Sequence, residues 1–490
     1  MSKQFIFILG LNLLLTACGG GGGGSASNST GESTSPDPCG VAAQIDFVEE
    51  VATDYYYWYD ELADVDKRQF SNAQDYLRAI MRPIWCDLVD APGNCQSTGR
   101  DPGFSYLTTI EEDSQRFESG VFFGYGVRYR LVGSDFFFSD SYETGPAFAA
   151  GIRRGQRLIA VDRGDGFVNW DQIFANTTST DLRGAVLGPS EELKTTVFRV
   201  ETVGGIQDIS VTTAETTTPP FAGTPVLIPT QNGTPVGYIH FRSFIDDADE
   251  PLREVAETFA AAGVTDVVID LRYNGGGLLR VAETFLNLLA GDVAQGETSY
   301  IVNRNDKHSE ENNVGTFVAL QESFSPSLNR IAFITTLGSA SASELLINSL
   351  EPHIEVAIIG SDTSGKAVGQ GAWDLNSDRC ETRLRLVAFE IQNGLGEGGY
   401  YNGLVDTGRF TFFLAADDVT REFGDVGEES LQVALNWLGV DVASSQARSL
   451  KRSSKAMRMT REQIGVAGFD ASWRADEQPP LNPDGTVRSF

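Results

Sequence analysis

The stretch Asp266-Val-Val-Ile-Asp-Leu-Arg-Tyr-Asn-Gly-Gly-Gly-Leu278 begins as an apolar run, reaches three consecutive glycines and leads into a helical pattern through residue 290. An apolar run without strict alternation predicts a strand covered on both faces, as in a parallel sheet. The same unit recurs on either side. Upstream, Val236-Gly-Tyr-Ile-His-Phe241 precedes a helical 251–262; downstream, Ile331-Ala-Phe-Ile-Thr-Thr336, a helical 342–350 and Val356-Ala-Ile-Ile-Gly360 repeat the rhythm. From about residue 219 the chain is therefore expected to build an α/β core around a largely parallel sheet.

In such sheets ligands gather at the carboxyl ends of the strands, where loops and helix N-termini converge. Three loops there hold the chemistry: Arg272-Tyr-Asn-Gly-Gly-Gly277, Gly338-Ser-Ala-Ser-Ala-Ser-Glu344 and Ser361-Asp-Thr-Ser-Gly-Lys366. A right-handed crossover brings the second and third to one sheet edge, so Ser341 and Lys366 can meet. A serine hydroxyl needs a base before it attacks, and histidine is the usual one. Here His240 sits in a strand, His308 in a polar stretch and His353 at a helix end, so lysine is the remaining base. Burial can lower a lysine from about 10.4 towards neutrality, and Ala367 and Val368 beside Lys366 are compatible with that. Ser341 also opens a helix, whose free N–H groups favour developing negative charge. The Ala342 N–H, with one from the glycine loop, would form an oxyanion hole worth about 3 kcal/mol per donor. Taken alone, Ser339, Ser341 and Ser343 read as helix caps. Taken alone, Gly360–Ala367 reads as a phosphate loop, but Ala367 lacks the hydroxyl that would hold magnesium.

The chain has 490 residues, too many for one hydrophobic core, and its 37 basic and 67 acidic side chains give a net charge of −30. That balance repels phosphate backbones, so nucleic acid is not an expected partner. The start, Met-Ser-Lys before an apolar run to Leu15, is too short for a permanent membrane span. Leu15-Thr16-Ala17-Cys18 after it resembles the lipobox of bacterial lipoproteins, which implies lipidation at Cys18 and a place in the cell envelope, facing the periplasm at the outer membrane. Six glycines from Gly19 and a Ser/Thr/Pro-rich stretch to Pro38 read as a flexible tether. Cys39, Cys86, Cys95 and Cys380 would then sit in an oxidising compartment, with Cys86–Cys95 the favoured pair among three connectivities. With three histidines and no Cys-x-x-Cys, neither metal nor any other cofactor is expected.

Residues 39–118 show helical periodicity, and their Tyr55-Tyr-Tyr-Trp-Tyr59 cluster reads as packing. Residues 119–215 alternate short strand-like runs with Gly and Asp turns, which predicts a small β-rich domain. Within it, Gly145-Pro-Ala-Phe-Ala-Ala-Gly-Ile-Arg-Arg-Gly-Gln-Arg-Leu-Ile-Ala-Val-Asp162 resembles the helix-turn-strand signature of PDZ domains. Phe123, Gly124, Tyr125, Gly126 and Val127 resemble their carboxylate-binding loop, which implies capture of peptide C-termini by strand addition.

Asp-Leu-Arg-x-Asn-x-Gly-Gly, then Ser-Ala-Ser-Ala-Ser-Glu, then Gly-Lys and finally Gln370 resemble, in that order, the carboxyl-terminal processing (tail-specific) serine peptidases. The resemblance runs from about Cys39 to Gly439 and implies a multidomain α+β and α/β chain with a PDZ-like domain and a ClpP/crotonase-like core. It implies Ser341 as nucleophile, Lys366 as base, Gln370 as the residue orienting the lysine, and Gly276 with Ala342 as oxyanion donors. Substrates would be unfolded proteins or C-terminal peptide segments; an inactive PDZ-type peptide-binding lipoprotein is the alternative. The expected divisions are a signal peptide at 1–17, a tether at 18–38, a helical region at 39–118, a PDZ-like domain at 119–215, a peptidase core at 216–440 and a tail at 441–490. Gly403-Leu-Val-Asp-Thr lacks the proline that relatives carry there, and the tail is basic from Arg448 to Arg461.

Overall fold

The computed structural model of the protein describes residues 37–85, 89–91, 94–95, 99–177, 182–188, 193–324 and 328–440. The expected signal peptide, Cys18, nearly all of the tether, Cys86 of the favoured Cys86–Cys95 pair and the basic tail lie outside the described residues. Near the N-terminus, α1 (Val41–Tyr55) buries Ile45, Val48, Val51 and Ala52. Helix α2 (Ala73–Ile80) begins at Asn72, whose side chain accepts from the Asp75 N–H, and buries Ala73, Tyr76, Leu77 and Ile80. Three-and-four spacing puts each set on one helix face. These residues pack with Val368, Leu384, Leu386 and Val387 of the core, and Tyr56 and Trp58 of the aromatic cluster are buried among them. The region is not wholly helical: β1 (Tyr106–Thr109) leaves it to pair with a strand of the core.

Strands β2 (Val127–Val132), β3 (Asp135–Ser141), β4 (Arg157–Asp162), β5 (Thr195–Thr202) and β6 (Gly205–Thr212) form an antiparallel sheet in the order β6-β5-β4-β3-β2. Phe136, Phe138, Trp170 and Phe198 fill its own hydrophobic cluster.

The core is built on β7 (Val226–Ile228), β8 (Val236–His240), β9 (Asp266–Asp270), β12 (Arg330–Thr335), β13 (Glu355–Gly360) and β16 (Thr411–Leu414), ordered β7-β8-β9-β12-β13-β16. All neighbours from β8 to β16 are parallel, and only β7 runs antiparallel. The apolar runs have the predicted cause. Val267, Ile269, Ile331 and Phe333 face one cluster, with α3 (Asp249–Ala261), α4 (Leu279–Ala290) and α5 (Ala342–Leu350). Val268, Ala332 and Ile334 face the other, with α6 (Glu429–Trp437). Alternate residues of one strand thus serve two hydrophobic layers.

A second sheet, of order β11-β10-β15-β14, comprises β10 (Thr298–Arg304), β11 (Asn313–Thr316), β14 (Val368–Asp374) and β15 (Thr382–Asn393), with β1 joined to β15. Its hairpin β14–β15 is tied to the start of the N-terminal region by a disulfide between Cys39 and Cys380.

Candidate active site

The strand β9 ends at Asp270, and the glycine loop turns there with Tyr273 at φ 66°, Gly276 at 100° and Gly277 at 137°. A buried ionic cluster sets the base of this loop. Arg272 pairs with Asp270 Oδ2 at 2.6 Å and with Asp417 Oδ1 and Glu428 Oε1, both at 2.8 Å. The β-rich module joins the same cluster: Arg154 lies 2.8 Å from Asp417 Oδ1, Arg130 2.5 Å from Asp417 Oδ2, and Arg128 donates to the carbonyl of Tyr273. Burial alone would raise the Asp417 carboxyl, yet the guanidinium groups of Arg154, Arg272 and Arg130 hold it well below the usual carboxylate range.

The serine loop is sewn to the glycine loop. Ser339 Oγ donates to the carbonyl of Leu271 at 2.7 Å and Ser343 Oγ to that of Asn274 at 2.8 Å; the Ala340 N–H donates to Asn274 at 3.1 Å. Both of those serines are fully buried, whereas half-buried Ser341 between them opens onto a cavity of about 140 Å³. Its backbone, at φ 54° and ψ −113°, is in a region that costs a non-glycine residue on the order of 1–3 kcal/mol. Gly276 packs so tightly on this loop that a Cβ would stand 2.8 Å from the Ala340 carbonyl oxygen and the Ala342 nitrogen.

The lysine loop closes the arrangement. The Ser364 N–H donates to the carbonyl of Ser339 at 2.9 Å. Glu344, fully buried in the first turn of α5, accepts the Gly365 N–H at 2.7 Å and those of Lys366 and Ser341 at 2.9 Å. Burial pushes its carboxyl up to about 7, against hydrogen bonds from Thr363 and these backbone groups. Lys366 lines the cavity with Ser341, and its Nζ donates to Gln370 Oε1 at 2.7 Å. The register of the β14–β15 pair shifts opposite Gly369–Gln370, where Ala388 of β15 is the extra residue. Gln370 Nε2 donates to the carbonyl of Phe104, whose ring centroid is 5.0 Å from Lys366 Nζ.

Ser341, Lys366, Gln370 and Gly276 therefore surround one cavity, with Ala342 directly after Ser341 on α5. The expected donor at Gly276 is turned away in this geometry: its N–H goes to Asn274 Oδ1 at 2.9 Å, an Asx turn that a loop beginning Asn-Gly-Gly readily forms. None of the three histidines lines the cavity. The Gly360–Ala367 segment is spent on the glutamate clamp and the lysine rather than on a phosphate cradle. Elsewhere, Phe123 and Gly124 pair with the strand Ala214–Thr217. Tyr125 buries its ring and shares a hydrogen bond with Thr196, and the carbonyls of Tyr125 and Gly126 accept from Ala147 and Tyr142. Val127 opens β2, the terminal strand of the β-rich sheet.

Two participants escape a sequence reading. Glu344 shows only as the fourth residue of a Ser-x-x-Glu helix start, a capping signal that says nothing of burial. Phe104 acts through a backbone carbonyl, for which no side-chain pattern exists.

Residues 235–397 match the model of peptidase family S41, and residues 43–106 match the peptidase S41 N-terminal domain. Over 233 residues the chain is 27% identical to a carboxyl-terminal-processing protease of the cyanobacterium Picosynechococcus, covering 47% of this chain and 50% of that one. Over 377 residues it is 24% identical to a Staphylococcus aureus chain named as a CtpA-like serine protease, covering 74% and 70%. The chain spans about half the length of the cyanobacterial and algal relatives it matches. A solved structure from Bacteroides fragilis named for the S41 proteases superposes with a TM-score of 0.62 at 21% identity, over 80% of this chain and 97% of that one, and so shares the fold. The two matched segments lie in order along one chain, so the chain resembles peptidase family S41 both in its N-terminal region and in its core.

Proposed function

We propose that the chain is a serine endopeptidase of the carboxyl-terminal-processing kind, with Ser341 as nucleophile, Lys366 as general base and Gln370 orienting the lysine. The observation that carries this reading is the shared cavity: Ser341 and Lys366 open onto it from neighbouring loops, and Gln370 Oε1 holds Lys366 Nζ at 2.7 Å. Ser341 Oγ attacks the scissile carbonyl carbon while the neutral amine of Lys366 takes its proton. The C–N bond then breaks as Lys366 passes that proton to the leaving amine, which leaves an ester on Ser341. Water attacks the ester, gives a proton to Lys366, and the proton returns to Ser341 Oγ as the C–O bond breaks. Negative charge on the carbonyl oxygen falls to the Ala342 N–H, which at the first position of α5 has no intrahelical acceptor, and to the helix dipole. Gly276 becomes the second donor when the substrate oxygen displaces Asn274 Oδ1, at a gain of roughly 3 kcal/mol per donor.

The β-rich module is read as PDZ-like, taking peptide C-termini along the edge of β2 beside residues 123–127; its support is that β2 is the terminal strand of its sheet. Lipidation at Cys18 would place the enzyme on the periplasmic side of the outer membrane. Ser341→Ala tests the assignment: cleavage of denatured casein and labelling by a fluorophosphonate should both vanish while the circular dichroism spectrum stays unchanged. Full activity in that variant overturns it. A wild-type chain that takes no label at any pH from about 6 to 10, the range over which a lysine base titrates, favours the inactive peptide-binding reading instead.

A further inference from the structure

The N-terminal region contributes more than a wall to the cavity. We infer that Phe104 is a positioning residue for the lysine base: its carbonyl selects the amide orientation of Gln370, and its ring keeps water from Lys366 Nζ. This rests on the assignment of Lys366 as base.

A lysine ammonium only donates and a backbone carbonyl only accepts. Gln370 lies between one of each, Lys366 Nζ on its Oε1 and the Phe104 carbonyl on its Nε2. Both partners demand the same amide orientation, so the flipped form would lose two hydrogen bonds at once. The turn that presents Phe104 is itself pinned. Buried Asp101 accepts the Phe104 N–H at 2.7 Å and the Ser105 N–H at 3.1 Å on Oδ1, and Ser105 Oγ at 2.6 Å and Tyr56 OH at 3.1 Å on Oδ2. Ser105 Oγ in turn accepts the Val387 N–H at 3.0 Å, tying the turn to β15 beside Gln370. Gly103, at φ 96°, makes the reversal that no other residue makes without strain. The Phe104 ring then covers the amine, at 5.0 Å from ring centroid to Nζ.

The ring does two opposing things to the amine: its face attracts an ammonium, and its bulk excludes the water that would solvate one. Exclusion is taken to outweigh attraction, since loss of hydration moves a fully buried lysine by several units and Lys366 is partly buried, while a partly exposed cation–π contact moves one by less than about one. Replacing the ring by water or by a polar amide should therefore favour the ammonium and push the working pH upward.

The test is the rate of Ser341 phosphonylation by a fluorophosphonate from pH 6 to 10 on the full chain; the P–O bond forms as fluoride leaves and the proton passes to Lys366. Phe104→Ala and Phe104→Gln should each move the rising limb upward by about one unit, a drop of roughly tenfold at pH 7.5. Phe104→Tyr should restore the wild-type limb. The glutamine variant keeps bulk at the position, so it carries the test where the alanine variant does not fold. A purely structural residue would change yield or melting temperature and leave the limb of the folded fraction in place. A limb and rate within twofold of wild type in a folded Ala or Gln variant overturns the inference, whereas labelling that persists in Ser341→Ala overturns the catalytic assignment beneath it.

Discussion

Replacing Glu344 by glutamine tests whether one buried carboxyl clamps the serine loop to the lysine loop. In the fold its carboxyl is pushed up to about 7, by burial first, from an ordinary value of 4.5. A proton on Glu344 thus favours the folded chain. Its contribution is fully present below pH 4.5 and is lost as the pH rises through 7. At about 1.36 kcal/mol per unit, a gap of roughly 2.5 units amounts to about 3 kcal/mol. Glutamine has no such term, and its single oxygen can serve the Ser341 and Lys366 N–H groups but leaves its amide facing the Gly365 N–H. An unmatched buried donor costs about 1–3 kcal/mol. Wild type should exceed Glu344→Gln in stability by the most near pH 4.5, and the margin should shrink by about 3 kcal/mol by pH 8. Urea unfolding of both proteins across that range, followed by tryptophan fluorescence, reads the difference directly, since every other titrating group is common to both. A margin that stays constant from pH 4.5 to 8 refutes the reasoning.

Gly276→Ala should reduce fluorophosphonate labelling of Ser341 about a hundredfold and lower the melting temperature as well, since alanine at φ 100° is strained. The new methyl would meet the Ala340 oxygen and the Ala342 nitrogen at 2.8 Å, and displacements of up to about an ångström at reacting groups cost that much. Asp417→Asn should destabilise the protein by about 3–5 kcal/mol in thermal denaturation, because it leaves the buried guanidinium groups of Arg154 and Arg272 short of a counter-charge.

Much of the central sheet was legible because its strands are buried on both faces, and Val267 to Ile269 or Ile331 to Ile334 have no polar positions to confuse the pattern. The second sheet was not. Arg383 and Arg385 interrupt the apolar run of β15, and only the folded chain shows them paired with Asp113 and Asp374. The helical reading of the N-terminal region stopped short for a related reason: β1 is four residues long and is held as a strand by its partner β15 rather than by its own sequence. At the site, Ser341 and Lys366 could be named because they fall in loops at the carboxyl ends of parallel strands, whereas Gln370, inside β14, was named only through the family resemblance. Groups acting through the backbone could not. The N–H of Gly276 was visible as a glycine, but its engagement by Asn274 depends on a side-chain rotamer, and the carbonyl of Phe104 depends on a turn pinned by Asp101.

The Cys39–Cys380 bridge closes residues 39–380 into one covalent ring, which takes in α1 to α5 and the β-rich module but not β15, β16 or α6. A single cut in any exposed loop between those two cysteines would therefore release nothing. The two pieces would stay joined, the nicked chain would migrate as a single species until a reductant opened the ring, and only a second cut within the ring would free a segment of it.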